Sequence, residues 1–181
     1  MLVYQNLNDT AQTVADIIGE GILPAAMELM DNGIVNLIED YMKIGLPRTA
    51  EGVLLIDLDG MPEMVKKEME LVEKIGWQNN AIQISLAKNS QECDELWKGR
   101  RAVYGLLNKV SPTVLVEDAT VPVSKVPDMI RGCRKIAEEF GLKISIVGHA
   151  GDGNLHPSIN TDARDKEKMQ RVDLAVKKIF S

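Results

Sequence analysis

Gly148-His149-Ala150-Gly151-Asp152-Gly153-Asn154-Leu155-His156-Pro157 is the stretch on which the reading of this chain turns. It carries both histidines of the protein and three of its fourteen glycines. The alternating run Lys143-Ile144-Ser145-Ile146-Val147 leads into it, and Pro157-Ser158-Ile159-Asn160 leads out. That pattern predicts strand, tight turn, strand. Asp152-Gly153 is a strong hairpin-turn dipeptide, because glycine takes a positive φ without steric cost.

A loop of Ala150 to Gly153 sets His149 opposite Asn154 and His156 opposite Val147. Residues two apart on a strand share a face, so both imidazoles project from one side of the hairpin. Any even-length loop preserves this and any odd-length loop destroys it. Two imidazoles beside a glycine-rich turn make half of a metal site. A catalytic zinc-type site takes about three protein ligands, and the sequence holds no third histidine. The plainer alternative is a pair of hydrogen-bonded surface histidines, and spacing alone leaves both open.

Outward from the hairpin, the 181 residues suit one domain with a real core. Hydrophobic residues make up 45% and charged residues 27%, ordinary globular proportions. The net charge of −6 argues against nucleic acid or an anionic membrane as partner. No apolar run approaches the ~20 residues of a transmembrane helix, and the start shows no secretory signal. Cys93 and Cys133 stand far apart without a CxxC, which points to reduced thiols in a cytoplasmic protein. No GxGxxG or GxxxxGK[ST] occurs, so a nucleotide or flavin domain is not expected in these residues.

Strands are predicted at Leu2 to Gln5, Gly52 to Asp59, Ala81 to Ala87, Thr113 to Val121 and in the hairpin. Helices are predicted at about Asn8 to Gly19, Asn32 to Lys43, Pro62 to Gly76, Gln91 to Asn108, Val123 to Phe140 and Lys166 to Phe180. The order implies an α+β fold of two ferredoxin-like split βαβ halves. Its sheet is mostly antiparallel, with helices packed on one face. Residues 1–50 read as a helical lead-in and 51–181 as the α+β body.

On the fourth of these helices, Arg100 and Arg101 point about 100° apart, so only one of them can face a given site squarely. An arginine fork matches a carboxylate bidentately; the alternative is two solvated helix arginines. Trp97 reads as core packing. Glu117-Asp118 either reaches toward the hairpin or faces solvent. Asp57-Leu58-Asp59-Gly60 and Gly151-Asp152-Gly153 partly echo haloacid dehalogenase-type phosphatases. The echo fails at Met61, where a threonine belongs, and at Leu155-His156, where Asn-Asp belongs.

His149 to Pro157 also resembles the signature of the FAD-linked oxidase C-terminal domain. This is the substrate cap of flavoenzymes that include the D-subunit of glycolate oxidase, D-lactate dehydrogenase and D-2-hydroxyglutarate dehydrogenase. Gly21 to Asp31, Leu96 to Arg101 and Val116 to Pro122 resemble it too, nearest the glycolate oxidase branch. The resemblance implies a substrate-binding cap spanning 1–181. FAD would be held by a separate flavin domain outside these residues. His149 and His156 would be ligands of a divalent metal, Zn or Mn. Arg100 would clamp the carboxylate of a small 2-hydroxy acid, and Asn154 would line the pocket. Val116 stands where the 2-hydroxyglutarate branch has a lysine, which favours a monoacid. The resemblance places the base in a Glu-His-Gly segment expected beyond Ser181, so the chain is expected to be a fragment without dehydrogenase activity of its own. Partner subunits of a glycolate oxidase complex are implied on the same ground, with any peripheral contact at the inner membrane made through them. A non-catalytic ferredoxin-like binding or regulatory module is the alternative from another class.

Overall fold

The computed structural model describes residues 1–181. Eight strands are present: β1 (Leu2–Tyr4), β2 (Ala26–Asp31), β3 (Gly52–Asp57), β4 (Ala81–Ile84), β5 (Thr113–Val116), β6 (Ala119–Thr120), β7 (Ile144–His149) and β8 (Asn154–Thr161). Six α-helices accompany them: α1 (Leu7–Gly19), α2 (Asn32–Tyr41), α3 (Pro62–Gln78), α4 (Ser90–Val110), α5 (Val126–Phe140) and α6 (Lys166–Ile179). All strands join one sheet in the order β4-β1-β3-β2-β7-β8-β5, with β6 also on β8. Every pairing is antiparallel.

The α+β class, the antiparallel sheet and the split βαβ halves agree with the sequence reading. Two details differ. Residues 1–50 are no helical lead-in, because they supply β1 and β2 from the interior of the sheet. The order β4-β1-β3-β2 makes residues 2–84 the first ferredoxin-like half. Helices also cover both faces rather than one. On one side Leu2, Tyr4, Leu29, Leu54 and Ile146 pack against α1, α3 and α5. On the other side Val3, Met30, Val53, Leu55 and Val147 pack against α2 and α4. Strand residues alternate between faces, and these strands are apolar at both parities, so each face needs its own cover.

β2 is the strand that periodicity missed. Ala26-Met27-Glu28-Leu29-Met30-Asp31 is rich in helix formers and buried on both faces, which removes the period-2 signal. Tertiary pairing overrides that local preference. β2 lies between β3 and β7, so it joins the two halves of the sheet. Its ladder to β7 is short: Glu28 opposite His149, Leu29 opposite Gly148, Met30 opposite Val147.

Asp31 extends this seam. One carboxylate oxygen accepts from the Ile34 N–H at 3.0 Å and caps α2; the other accepts from the Ile146 N–H at 2.8 Å on β7. Burial pushes the Asp31 carboxyl up to about 6, against the opposing pull of those two N–H groups. A folded-state value above the unfolded one means that the native state binds the proton more tightly. This contribution to stability is therefore fully present below about pH 4 and is lost as pH rises through about 6. Urea denaturation between pH 4 and 7 should show the wild type losing stability relative to Asp31→Asn; parallel pH profiles for the two proteins would contradict the assignment.

Candidate functional site

The hairpin forms with the register its spacing demands. His149 pairs with Asn154 and Val147 with His156, around the four-residue loop Ala150 to Gly153. Two glycines make the turn possible. Gly153 takes φ +79°, and a Cβ there would collide with the Val121 carbonyl oxygen, whose residue in turn donates its N–H to the Gly153 carbonyl at 3.1 Å. At Gly148 a Cβ would lie 2.6 Å from the Asn154 carbonyl oxygen. Asp152 closes an Asx turn by accepting from the Asn154 N–H at 3.0 Å.

With this loop both imidazoles emerge on the α4 side of the sheet. Their ring centroids are 5.4 Å apart, edge to face at 88°. Opposite His149 on β2 stands Glu28, buried on the same face. Its Oε1 lies 2.5 Å from His149 Nδ1. Its Oε2 accepts from Arg100 Nε at 2.9 Å and lies at ion-pair distance, 2.8 Å, from Nη2. Arg100 is buried on α4 and points inward with Val103 and Leu107, three and seven residues on. Its neighbour Arg101 faces outward and pairs with Asp94 on the surface.

Tyr104, one turn along α4, completes the rim. The Arg100 guanidinium sits 5.9 Å from the centre of its ring, and the His156 ring is 6.2 Å away, edge on. Burial pushes the Tyr104 phenol above its usual value, although Arg100 pulls the other way. The phenol therefore keeps its proton as a donor at neutral pH. Asp118 is exposed, yet its Oδ1 lies 3.5 Å from His156 Nδ1, so both sequence readings of Glu117-Asp118 hold for this residue. His149 thus has a carboxylate hydrogen-bonded at Nδ1, and His156 has one at ion-pair distance. That is the usual second partner of a metal-bound histidine. Two imidazoles are brought together here, but no group of three His, Cys, Asp or Glu side chains is arranged to hold a metal ion.

The four residues singled out from sequence behave as follows. Glu28 joins Arg100 to His149, and His156 lies against the His149 ring. Asn154 sits beside them across from His149, and its Oδ1 is buried without a partner. Glu28 and Tyr104 were not anticipated. Glu28 was hidden with β2; Tyr104 was readable in principle, since it lies four residues from Arg100 on one helical face. Val116 is exposed on β5. Trp97 packs partly buried against the α2–α4 core. Asp57 ends a β3 whose neighbours are antiparallel, which removes the parallel sheet a haloacid dehalogenase-type site requires. Cys93 and Cys133 are free thiols. A separate apolar cleft of about 360 Å³ lies between α3 and α4, lined by Leu55, Met69, Cys93 and Trp97, and includes none of the histidine cluster.

Comparison with known proteins agrees with the fold. The family described as FAD linked oxidases, C-terminal domain, matches residues 1–181. Glycolate oxidase subunit GlcD of Bacillus subtilis is 42% identical over 99% of this chain and 38% of its own length. Glycolate oxidase subunit GlcD of Escherichia coli K12 is 32% identical over 94% of this chain and 34% of its own. The mitochondrial D-lactate dehydrogenase [cytochrome] of Kluyveromyces lactis is 31% identical over 89% and 30%. The chain therefore spans about a third of the length of these relatives. Among solved structures, p-cresol methylhydroxylase with substrate bound superposes with a TM-score of 0.67 over 98% of this chain and 41% of its own, at 12% identity, a likeness of fold alone.

The hairpin geometry has a direct check. Gly153→Ala should cost at least about 1–3 kcal/mol in thermal denaturation, from the positive φ and the blocked Val121 carbonyl. An unchanged melting temperature would contradict the turn described.

Proposed function

The chain belongs to the family of C-terminal domains of FAD linked oxidases, and from that premise we propose that it is the substrate- and metal-binding cap of an FAD-dependent 2-hydroxy acid dehydrogenase. Glycolate and D-lactate are the substrates favoured, from the names of the relatives. One observation carries the reading: on one face of the sheet a single carboxylate joins a buried guanidinium to one imidazole, and the second imidazole packs edge to face against the first.

The chemistry divides among the side chains. Arg100 donates its Nε–H to Glu28 and sets Nη2 at ion-pair distance, and its Nη1 has no hydrogen-bond acceptor within the chain. That free edge is suited to the carboxylate of a small hydroxy acid. Tyr104 offers a phenolic donor beside it, and Asn154 lines the pocket from the hairpin. Val116 offers no cation for a second carboxylate, which favours a monoacid. Zn²⁺ or Mn²⁺, held by His149 and His156, would supply Lewis acidity toward the substrate hydroxyl. FAD, when bound by a flavin domain outside these residues, supplies the hydride acceptor. The base that takes the hydroxyl proton is assigned to a residue outside this chain, so the 181 residues alone are expected to be inactive. Further subunits of a glycolate oxidase complex are the partners proposed. No helix is long and apolar enough to cross a membrane.

Two measurements on the chain test this. Zinc uptake, read by elemental analysis after dialysis, should be present in the wild type and absent in His149→Ala/His156→Ala. Calorimetry with glycolate should show at least about tenfold weaker binding for Arg100→Lys, which keeps the charge but loses the fork. No zinc uptake, or equal glycolate affinity in both proteins, would contradict the reading and leave a non-catalytic module. Turnover of glycolate by these residues with added FAD would contradict the expected division of labour.

A further inference from the structure

Glu28 has a role that deepens this reading and rests on it. It is buried on an interior strand, and both of its oxygens are used. A buried carboxylate survives only where its charge is met by donors. Here Oε2 takes the Nε–H of Arg100 with Nη2 at ion-pair distance, and Oε1 faces His149 Nδ1. An ionised carboxylate only accepts hydrogen bonds. A neutral His149 ring must therefore carry its proton on Nδ1, which leaves the Nε2 lone pair free. Arg100 must likewise spend its Nε–Nη2 edge inward, which leaves Nη1 outward.

We propose that Glu28 is the positioning residue of this site: it fixes His149 as the Nδ1–H tautomer and Arg100 with its Nη1 edge toward the ligand, and so presets an imidazole lone pair and a guanidinium edge for one small hydroxy acid. The backbone supports this, because Glu28 and His149 are direct partners across the β2–β7 ladder. Glutamate is also the side chain that the position demands. Aspartate is one methylene shorter and cannot span from Arg100 to His149. Glutamine has one accepting and one donating end. With its oxygen toward Arg100, its NH₂ faces His149 Nδ1, and the ring must place its proton on Nε2. With its oxygen toward His149, its NH₂ opposes the guanidinium.

The test reads the tautomer directly. In the full chain labelled with ¹⁵N-histidine, long-range ¹H–¹⁵N spectra at about pH 8.5, well above the free histidine value, distinguish Nδ1–H from Nε2–H. Wild-type His149 is expected as Nδ1–H, and Glu28→Gln as Nε2–H or as a mixture. Glu28→Asp is expected to lose one of the two contacts. A wild-type His149 carrying its proton on Nε2 overturns the proposal, and this arm needs no variant to fold. A folded Glu28→Gln with the wild-type tautomer overturns it as well, since a merely structural ion pair to Arg100 would leave the ring unchanged. Glycolate affinity, measured in parallel, should fall roughly 10–100-fold in Glu28→Gln, the usual range for loss of a ligand-orienting partner. A wild type with the Nδ1–H tautomer that binds neither zinc nor glycolate would sink the hydroxy-acid reading while confirming what Glu28 does to His149.

Discussion

The site depends on one buried carboxylate shared between a guanidinium and an imidazole. Removing the Glu28 carboxylate and the Arg100 guanidinium from water costs several kcal/mol per ion before any contact is made. Geometry repays this only when the remaining donors and acceptors are used, and here both Glu28 oxygens are. The same low-dielectric setting that makes the pair costly makes it directional. A site that must recognise an acid of a few atoms has little surface to bury, so orientation must come from preset groups.

The fold delivers that carboxylate through its most interior connection. β2 holds the two halves of the sheet together, and its ladder to β7 sets Glu28 against His149. The hairpin parity then puts His156 on the same face as His149, and α4 lays Arg100 and Tyr104 across that face. Three segments distant in sequence thus meet because sheet register and helix periodicity agree. Apolar packing below, from Met30, Val103, Leu107 and Val147, closes the base of the cluster. Asp31 continues the same seam from its far end, tying α2 and β7 to β2.

Much of this was legible in the residues. The hairpin register follows from a period of two and a Gly-rich four-residue turn, both local. Helix limits follow from caps such as Asn89 and Asp165, each accepting an N–H three residues on, and from the left-handed Gly141. The choice of Arg100 over Arg101 came from similarity, and the structure gives its physical reason: a helix can turn only one of two adjacent residues inward. What could not be read was β2. A strand apolar on both faces and built from helix formers carries no period-2 signal, and its pairing with β7 spans more than a hundred residues of sequence. Glu28 was lost with it, since a lone glutamate among methionines and leucines looks like a solvated helix position until its partner strand is known. The cover on both faces was missed for the same reason, because helix placement across a sheet is a tertiary choice.

A crystal structure of the chain with glycolate bound measures the convergence of these groups most directly. The carboxylate should lie on the Nη1 edge of Arg100, the hydroxyl should face the Nε2 atoms of His149 and His156, and Glu28 should still bridge Arg100 and His149. Glycolate held instead in the apolar cleft beside Trp97, or a His149 ring turned away from Glu28, would contradict it.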